Sequence, residues 1–300
     1  MRAFFDSDIW WSFTRSWVTM ASAIVAFICI AGALAAPLLA PHDPFDLASL
    51  QLMDAFKPPS WTAEGDRLYP LGTDDQGRDM LSAIMYGARV SLLVGFSATI
   101  FATVLGVSVG LLAGYLGGSV DALLMRIADI QLTFPSILVA LLIDGIVRAA
   151  VPREVHDQIA LFVVILAIGV SEWPKFARTV RGSTLVERNK EYVLAARVIG
   201  LGRFKIMVQH VLPNVLGPVL VIGTLNLALA ILAEATLSFL GVGVPPTQPS
   251  LGTLIRIGND FLFSGEWWIT IFPGVALIIM VLSVNLLGDW LRDALNPKLR

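Results

Sequence analysis

Glu234, in the run ILAEATLSFLG, is an ionisable side chain set inside a long apolar stretch, and it is where chemistry at membrane depth would begin. A charge there costs several kcal/mol unless it is paired or faces water. Two readings follow. Glu234 faces a central path, where it meets a cationic group, or it is hydrogen-bonded to a neighbouring helix or a partner subunit. Asp129 and Asp144 flank another apolar run and Asp289 closes the last one. Arg126 and Asp129 are one helical turn apart and suit each other as a pair. Asp144 sits near a span end, within reach of water. A proton relay through Glu234, Asp129 and Asp144 would make a secondary transporter, and a nucleophile with a base at membrane depth would make an intramembrane enzyme. No triad, aspartyl pair or H-E-x-x-H spacing is present, and His42, His156 and His210 read as ordinary loop or interface residues. There is no Gly-Lys dipeptide, so the G-x-x-x-x-G-K-[ST] phosphate cradle is missing, and this chain offers no ATP site of that type.

A second chemistry-bearing stretch is EYVLAARVIGLGRFKIMVQHVLPN, residues 191–214, with Glu191, Arg197, Arg203, Lys205 and His210 breaking an apolar background. Asn189 suits an N-cap, and Glu191 in the first turn suits the helix dipole. Tyr192, Ala195, Ala196 and Ile199 recur at helical spacing, and Gly200 and Gly202 then stop the helix. A second helical run is expected from Phe204 to Pro213, followed by re-entry into an apolar span at Leu212-Pro213. A helix of about ten residues is marginal alone in water. It is held either at the lipid interface or in a groove on a partner, with Tyr192 and Ile199 as anchors and Ala195, Ala196 and Gly200 allowing close approach.

The elements that must position these residues are membrane spans. The 300-residue chain is 56% hydrophobic and 15% charged, far from soluble composition. Its net charge of −2 speaks against nucleic acid, and Cys29 as sole cysteine allows no intramolecular disulfide. Six runs are long and apolar enough to cross a bilayer, near 17–40, 91–116, 123–147, 159–180, 215–239 and 269–288. The first is too long for a secretory signal and reads as a retained anchor. With the N-terminus inside, fourteen of the 21 Lys and Arg residues fall on the cytoplasmic side, eight of them between 175 and 205. Both termini and the 191–214 stretch are therefore expected in the cytoplasm. The resulting organisation is a cytoplasmic segment 1–16, a first transmembrane helix 17–40 and an extracytoplasmic loop region 41–88. After these come a five-helix transmembrane domain 89–289, interrupted by a cytoplasmic segment 181–214, and a cytoplasmic tail 290–300. Asp74 or Asp75 is expected to cap the helix leading into the second span. Gly106, Gly110 and Gly114 in that span have small-xxx-small spacing, which lets another helix approach closely.

LAARVIGLGRFKIMVQHVLPN resembles the EAA-type loop of bacterial type I ABC importer permeases, in which E-A-A is followed by three residues, Gly, nine residues and I-x-L-P. Ala195, Ala196, Gly200, Leu212 and Pro213 are in register, while Leu194 stands where Glu is expected and His210 where Ile is. No salt bridge to an ATPase is therefore assigned to position 194. LGTDDQGRDMLSAIMYGARVSL, LSFLGVGVPPTQPSLGTL and GDWLRDALNPKLR are similar to the peptide-transporter branch, with Asn296 in place of the usual Asp. Within that branch the chain is similar to the second permease subunit, the C subunit.

The resemblance implies an all-α polytopic fold with six transmembrane helices in a bacterial inner membrane. It implies no catalytic residue, cofactor or metal in this chain, with ATP and Mg bound by partner subunits. Those partners are a second homologous permease, two cytoplasmic ABC ATPases and an extracytoplasmic solute-binding protein. The resemblance makes 181–214 a coupling segment, in which Tyr192, Leu194, Ala195, Ala196, Arg197, Ile199, Gly200 and Leu201 would form the ATPase-docking coupling helix, Leu212 and Pro213 its return to the membrane. The expected cargo is a dipeptide or short oligopeptide. Relatives also carry glutathione-like compounds, nickel chelates and opine-like conjugates.

Overall fold

The computed structural model describes residues 8–45, 50 and 52–294. Arg2, Asn296, Lys298 and Arg300, and with them much of the two terminal segments, lie outside the described residues. The described chain is helical: α1 Asp8–Arg15, α2 Trp17–Leu34, α3 Met80–Leu116, α4 Gly118–Leu132, α5 Ser136–Ala150, α6 Arg153–Glu187, α7 Glu191–Val198, α8 Arg203–Phe239, α9 Leu251–Asn259 and α10 Trp268–Ala294. A four-residue turn, Ala36–Leu39, extends α2.

Five of these helices are long and apolar enough to cross a membrane, and the count is six if the bent pair α4–α5 is one span. The span expected at 123–147 is corrected here. Its two halves meet at 93°, across Thr133-Phe134-Pro135. Pro135 disfavours the helical region for the preceding residue, and Gln131, Thr133 and Ser136 make the bend the less apolar part of the run. Several other spans outrun their apolar cores. α3 has 37 residues, about 55 Å of helix against a hydrocarbon core of about 30 Å.

The helix from 203 and the span from 215 are also one element. A π-turn at Met207–Val211, closed by Leu212 N–H to the Met207 carbonyl, carries α8 past Pro213, which has no N–H to give. There is no separate return into the span at Leu212-Pro213.

α3 and α6 form the central pair. A Cβ added at Gly106 would meet the Trp173 carbonyl oxygen at 2.6 Å, at Gly110 the Ala177 carbonyl oxygen at 2.4 Å, and at Gly114 Thr184 Cβ at 2.7 Å. The small-residue stripe is thus the seat of α6. α3 is capped by Asp79, whose carboxylate accepts from Ser82 N–H at 2.8 Å, and not by Asp74 or Asp75. Asp74 instead folds the preceding turn. It accepts the N–H groups of Gln76 and Arg78 at 2.9 Å and pairs with the Arg78 guanidinium at 2.6 Å, both side chains being buried. Trp268 Nε1, at the start of α10, donates to the Thr73 carbonyl at 2.9 Å and holds this turn over the end of the bundle.

Candidate functional site

α7 lies at the end of the bundle where α6 stops and α8 begins. Glu191 is in its first turn, as expected, but Lys190 occupies the N-cap position, and Asn189 instead donates back to the Leu185 carbonyl at 3.1 Å. The C-terminus is a Schellman motif. Gly200, at φ +81°, takes the left-handed position, its N–H bonding the Arg197 carbonyl at 3.0 Å while Leu201 N–H bonds the Ala196 carbonyl at 3.1 Å. Leu201 and Ala196 then meet in the same apolar cluster. The helix therefore ends at Val198, two residues short of the expected 200.

The faces of α7 divide sharply. Val193 and Ala196 point inward and pack with Tyr115, Ile206, Met207 and Val211, so Ala196, at 4% exposure, supports the chain's own core and is turned away from a docking face. Leu194, Val198 and Ile199 point outward at 46%, 87% and 74% exposure, and Ala195 and Arg197 are exposed beside them. Arg197 also stacks over the Tyr115 ring at 5.4 Å. Tyr192, expected as an anchor for a partner, spends its hydroxyl at home. It donates to Glu187 Oε1 at 2.6 Å and accepts from Asn214 Nδ2 at 3.0 Å, tying the ends of α6 and α8 through α7. Removal from water, then the hydrogen bond to the Glu187 carboxylate, pushes the Tyr192 phenol up to about 12. Asn214 Nδ2 also donates to the His210 carbonyl at 2.7 Å, beside the π-turn. Glu187 and Asn214 are the partners of Tyr192 that sequence reasoning missed. Their signal is a carboxylate and an amide bracketing the helix, five residues before Tyr192 and 22 after it.

Glu234 is fully buried. Ser91 Oγ on α3 donates to one carboxylate oxygen at 2.7 Å and Ser238 Oγ, one turn on, to the other at 2.7 Å. Leu251 N–H and Val244 N–H reach those two hydroxyls at 3.3 Å, so the carboxylate organises a junction of α3, α8, α9 and the 240–250 loop. Asp144, expected near water, is buried, with Arg148 Nε and His156 Nε2 on its two oxygens. Asp129 faces Arg178 at 3.9 Å in place of the expected Arg126. Among the described residues these three carboxylates have separate partners, and no hydrogen bond joins them into a relay.

Comparison with known proteins follows the same lines. Residues 106–300 match the family described as binding-protein-dependent transport system inner membrane component, and residues 5–59 match the N-terminal TM domain of oligopeptide transport permease C. The chain is 38% identical to the di/tripeptide transport system permease protein DppC of Pseudomonas aeruginosa over 98% of its own length and 92% of that protein's. It is 40% identical to the dipeptide transport system permease protein DppC of Escherichia coli K12, covering 98% and 93% of the two chains. Among solved structures, an inward-facing conformation of the MetNI methionine ABC transporter aligns with a TM-score of 0.57 at 22% identity, over 72% of this chain and 98% of that one, a likeness of fold. A bundle of long apolar helices, with a short helix displayed at one end, thus coincides with sequence similarity running the whole length, and the chain belongs to the family of binding-protein-dependent transport system inner membrane components.

Proposed function

We propose that this chain is a permease subunit of an ATP-driven importer of dipeptides or short oligopeptides, forming half of the translocation path. The observation that carries the docking part is α7. Its apolar face of Leu194, Val198 and Ile199 is exposed, while its polar and inner groups are fixed to two long spans. A rigidly mounted apolar helix face is what a hydrophobic groove on another protein receives. The groove belongs to a cytoplasmic ATPase, one of two that bind ATP and Mg. The α7 end of the bundle and both termini face the cytoplasm, and the segment 181–214 is the coupling segment. A second homologous permease completes the path and an extracytoplasmic binding protein delivers the peptide. The substrate class rests on relatives named as dipeptide and di/tripeptide permeases that align over nearly the entire chain.

The docking contact at position 194 is made by leucine and is apolar. Val198→Asp and Ile199→Asp test it, because both side chains are exposed and neither supports the fold. In the reconstituted complex, uptake of a dipeptide is expected to fall at least about tenfold, with ATPase subunits co-purifying less well. Unchanged uptake by the double variant would sink the docking claim.

A further inference from the structure

At the end of the bundle opposite α7, a cavity of about 590 Å³ opens between the α5–α6 connection, the 240–250 loop and α9. That size lies in the range of small-molecule sites. Its charged lining is Arg148, His156, Asp157 and Arg256. These four are not equivalent. Asp144, Arg148 and His156 form a closed set, with Asp144 bridging the other two and Arg148 Nη2 donating to the Gly241 carbonyl at 3.3 Å. That set ties α5 to α6 and to the loop, and it fixes the wall of the cavity.

Arg256 and Asp157 stand outside that set of short bonds. The Arg256 Nε is buried and has no hydrogen-bond acceptor, and Arg256 has no ion pair among the described residues. A desolvated guanidinium N–H without an acceptor is costly, and a carboxylate, which accepts two parallel bonds from one guanidinium, is its best partner. Asp157 is 56% exposed, and its ionic neighbour among the described residues is His156 Nδ1 at 3.9 Å. Among the described residues, a guanidinium without an ion pair and a half-exposed carboxylate with only a long contact to His156, in a cavity of this size, complement a small zwitterion. The neighbouring Pro246 carbonyl is occupied by Arg78 at 3.5 Å, which braces the loop without adding a charge to the cavity.

We propose that this cavity is a receiving site on the permease for the zwitterionic peptide itself, with Arg256 taking the terminal carboxylate and Asp157 the terminal ammonium. The proposal rests on the peptide-import reading and adds a peptide contact on this chain, before the spans, to whatever the binding protein selects.

The test uses the assembled permease pair with its ATPases in nanodiscs, without binding protein, and titrates dialanine, dialanine C-terminal amide and N-acetyl-dialanine by ligand-observed NMR. Arg256→Gln is expected to weaken dialanine binding about tenfold and to leave the already weak amide unchanged. Asp157→Asn, at an exposed position with no folding role, is expected to weaken dialanine and spare the N-acetyl form. Equal dialanine affinity in wild type and both variants overturns the proposal, and so does an equal loss for dialanine and its amide. If Arg256→Gln instead abolishes only stimulation of ATP hydrolysis by the binding protein, the occupant is an acidic side chain of that protein and the proposal falls. In the complete system, uptake of dialanine by wild type alongside failure of these binding results removes the cavity and keeps the peptide reading. Absence of dialanine uptake and binding in wild type removes both.

Discussion

Tyr192 shows how one side chain sets what α7 can do. Its hydroxyl joins Glu187 at the end of α6 to Asn214 in the first turns of the apolar part of α8, so α7 is tethered to both helices. Tyr192→Phe keeps the ring and removes both bonds, at a cost of about 1 kcal/mol for a partly exposed network. Amide exchange of Val193–Val198 is expected to accelerate roughly fivefold, and ATP hydrolysis per peptide imported to rise. A variant with unchanged exchange and unchanged stoichiometry would show that the tether is idle. Gly200 contributes separately. Open space surrounds its Cβ position, so its requirement is purely conformational, set by φ +81°. Ala196 illustrates the opposite case. Its small size was expected to serve a partner, and it serves Val193, Ile206 and Met207 within the chain. Periodicity locates a helix but does not say which of its faces is spoken for.

Among the elements, α3 and α6 carry the fold, and their contact is backbone-close. At Gly110 a methyl group would sit 2.4 Å from a carbonyl oxygen of α6, a distance that neither helix can relieve locally. Gly110→Ala is expected to destabilise the chain by about 1–3 kcal/mol, read as a lower melting temperature by tryptophan fluorescence in detergent. Gly182→Ala, in the same α6 but with open space around it, is the control. It is expected to be neutral or to stabilise by up to about 1 kcal/mol through helix propensity. Equal melting temperatures for the two variants would contradict the packing argument. The broken pair α4–α5 belongs to this scale too. Taken together 123–147 is apolar enough for one span, and Pro135 with the polar Gln131, Thr133 and Ser136 around it marks the turn that the structure makes at 93°.

Across the whole molecule, the end opposite α7 is closed by a small polar assembly. Lys57 pairs with Asp54 at 2.7 Å and Asp66 at 3.0 Å, and Tyr69 donates to Asp54 at 2.9 Å. Hydrogen bonds from Lys57, then from Tyr69, hold the Asp54 carboxyl below its ordinary 3.8, and the two carboxylates hold Lys57 above its ordinary 10.5. A lowered carboxyl gives stability that is complete above 3.8 and lost as pH falls below it. A raised lysine gives stability that is complete below 10.5 and lost as pH rises past it. The assembly is therefore expected to be tightest between those two values and to loosen at about pH 3. Exchange of the Lys57 and Leu68 amides, corrected for intrinsic rate, should accelerate there relative to pH 6. No acceleration would show that the ion pairs contribute nothing, as exposed pairs often do.

Sequence by itself determined the solvent and the class. Continuous apolar runs of about 20 residues demand helices in a membrane, because only a helix satisfies the backbone hydrogen bonds of such a run within the segment itself. The glycine stop at 200 and the acidic first turn were legible because each follows from backbone geometry within a few residues. What only the tertiary structure decided depends on partners far away in the chain. Glu234 meets Ser91, which stands 143 residues earlier, and its place at a helix junction cannot be read from its own neighbours. Asp144 is buried because α6 brings His156 to it, although its local sequence suggested water. The ends of α3, α6 and α8 run beyond their apolar cores because long-range packing, and not hydropathy, stabilises those turns. Local patterns fix which elements exist, and the three-dimensional fold chooses which of their polar groups are spent inside the chain and which, like Arg256, stay open for another molecule.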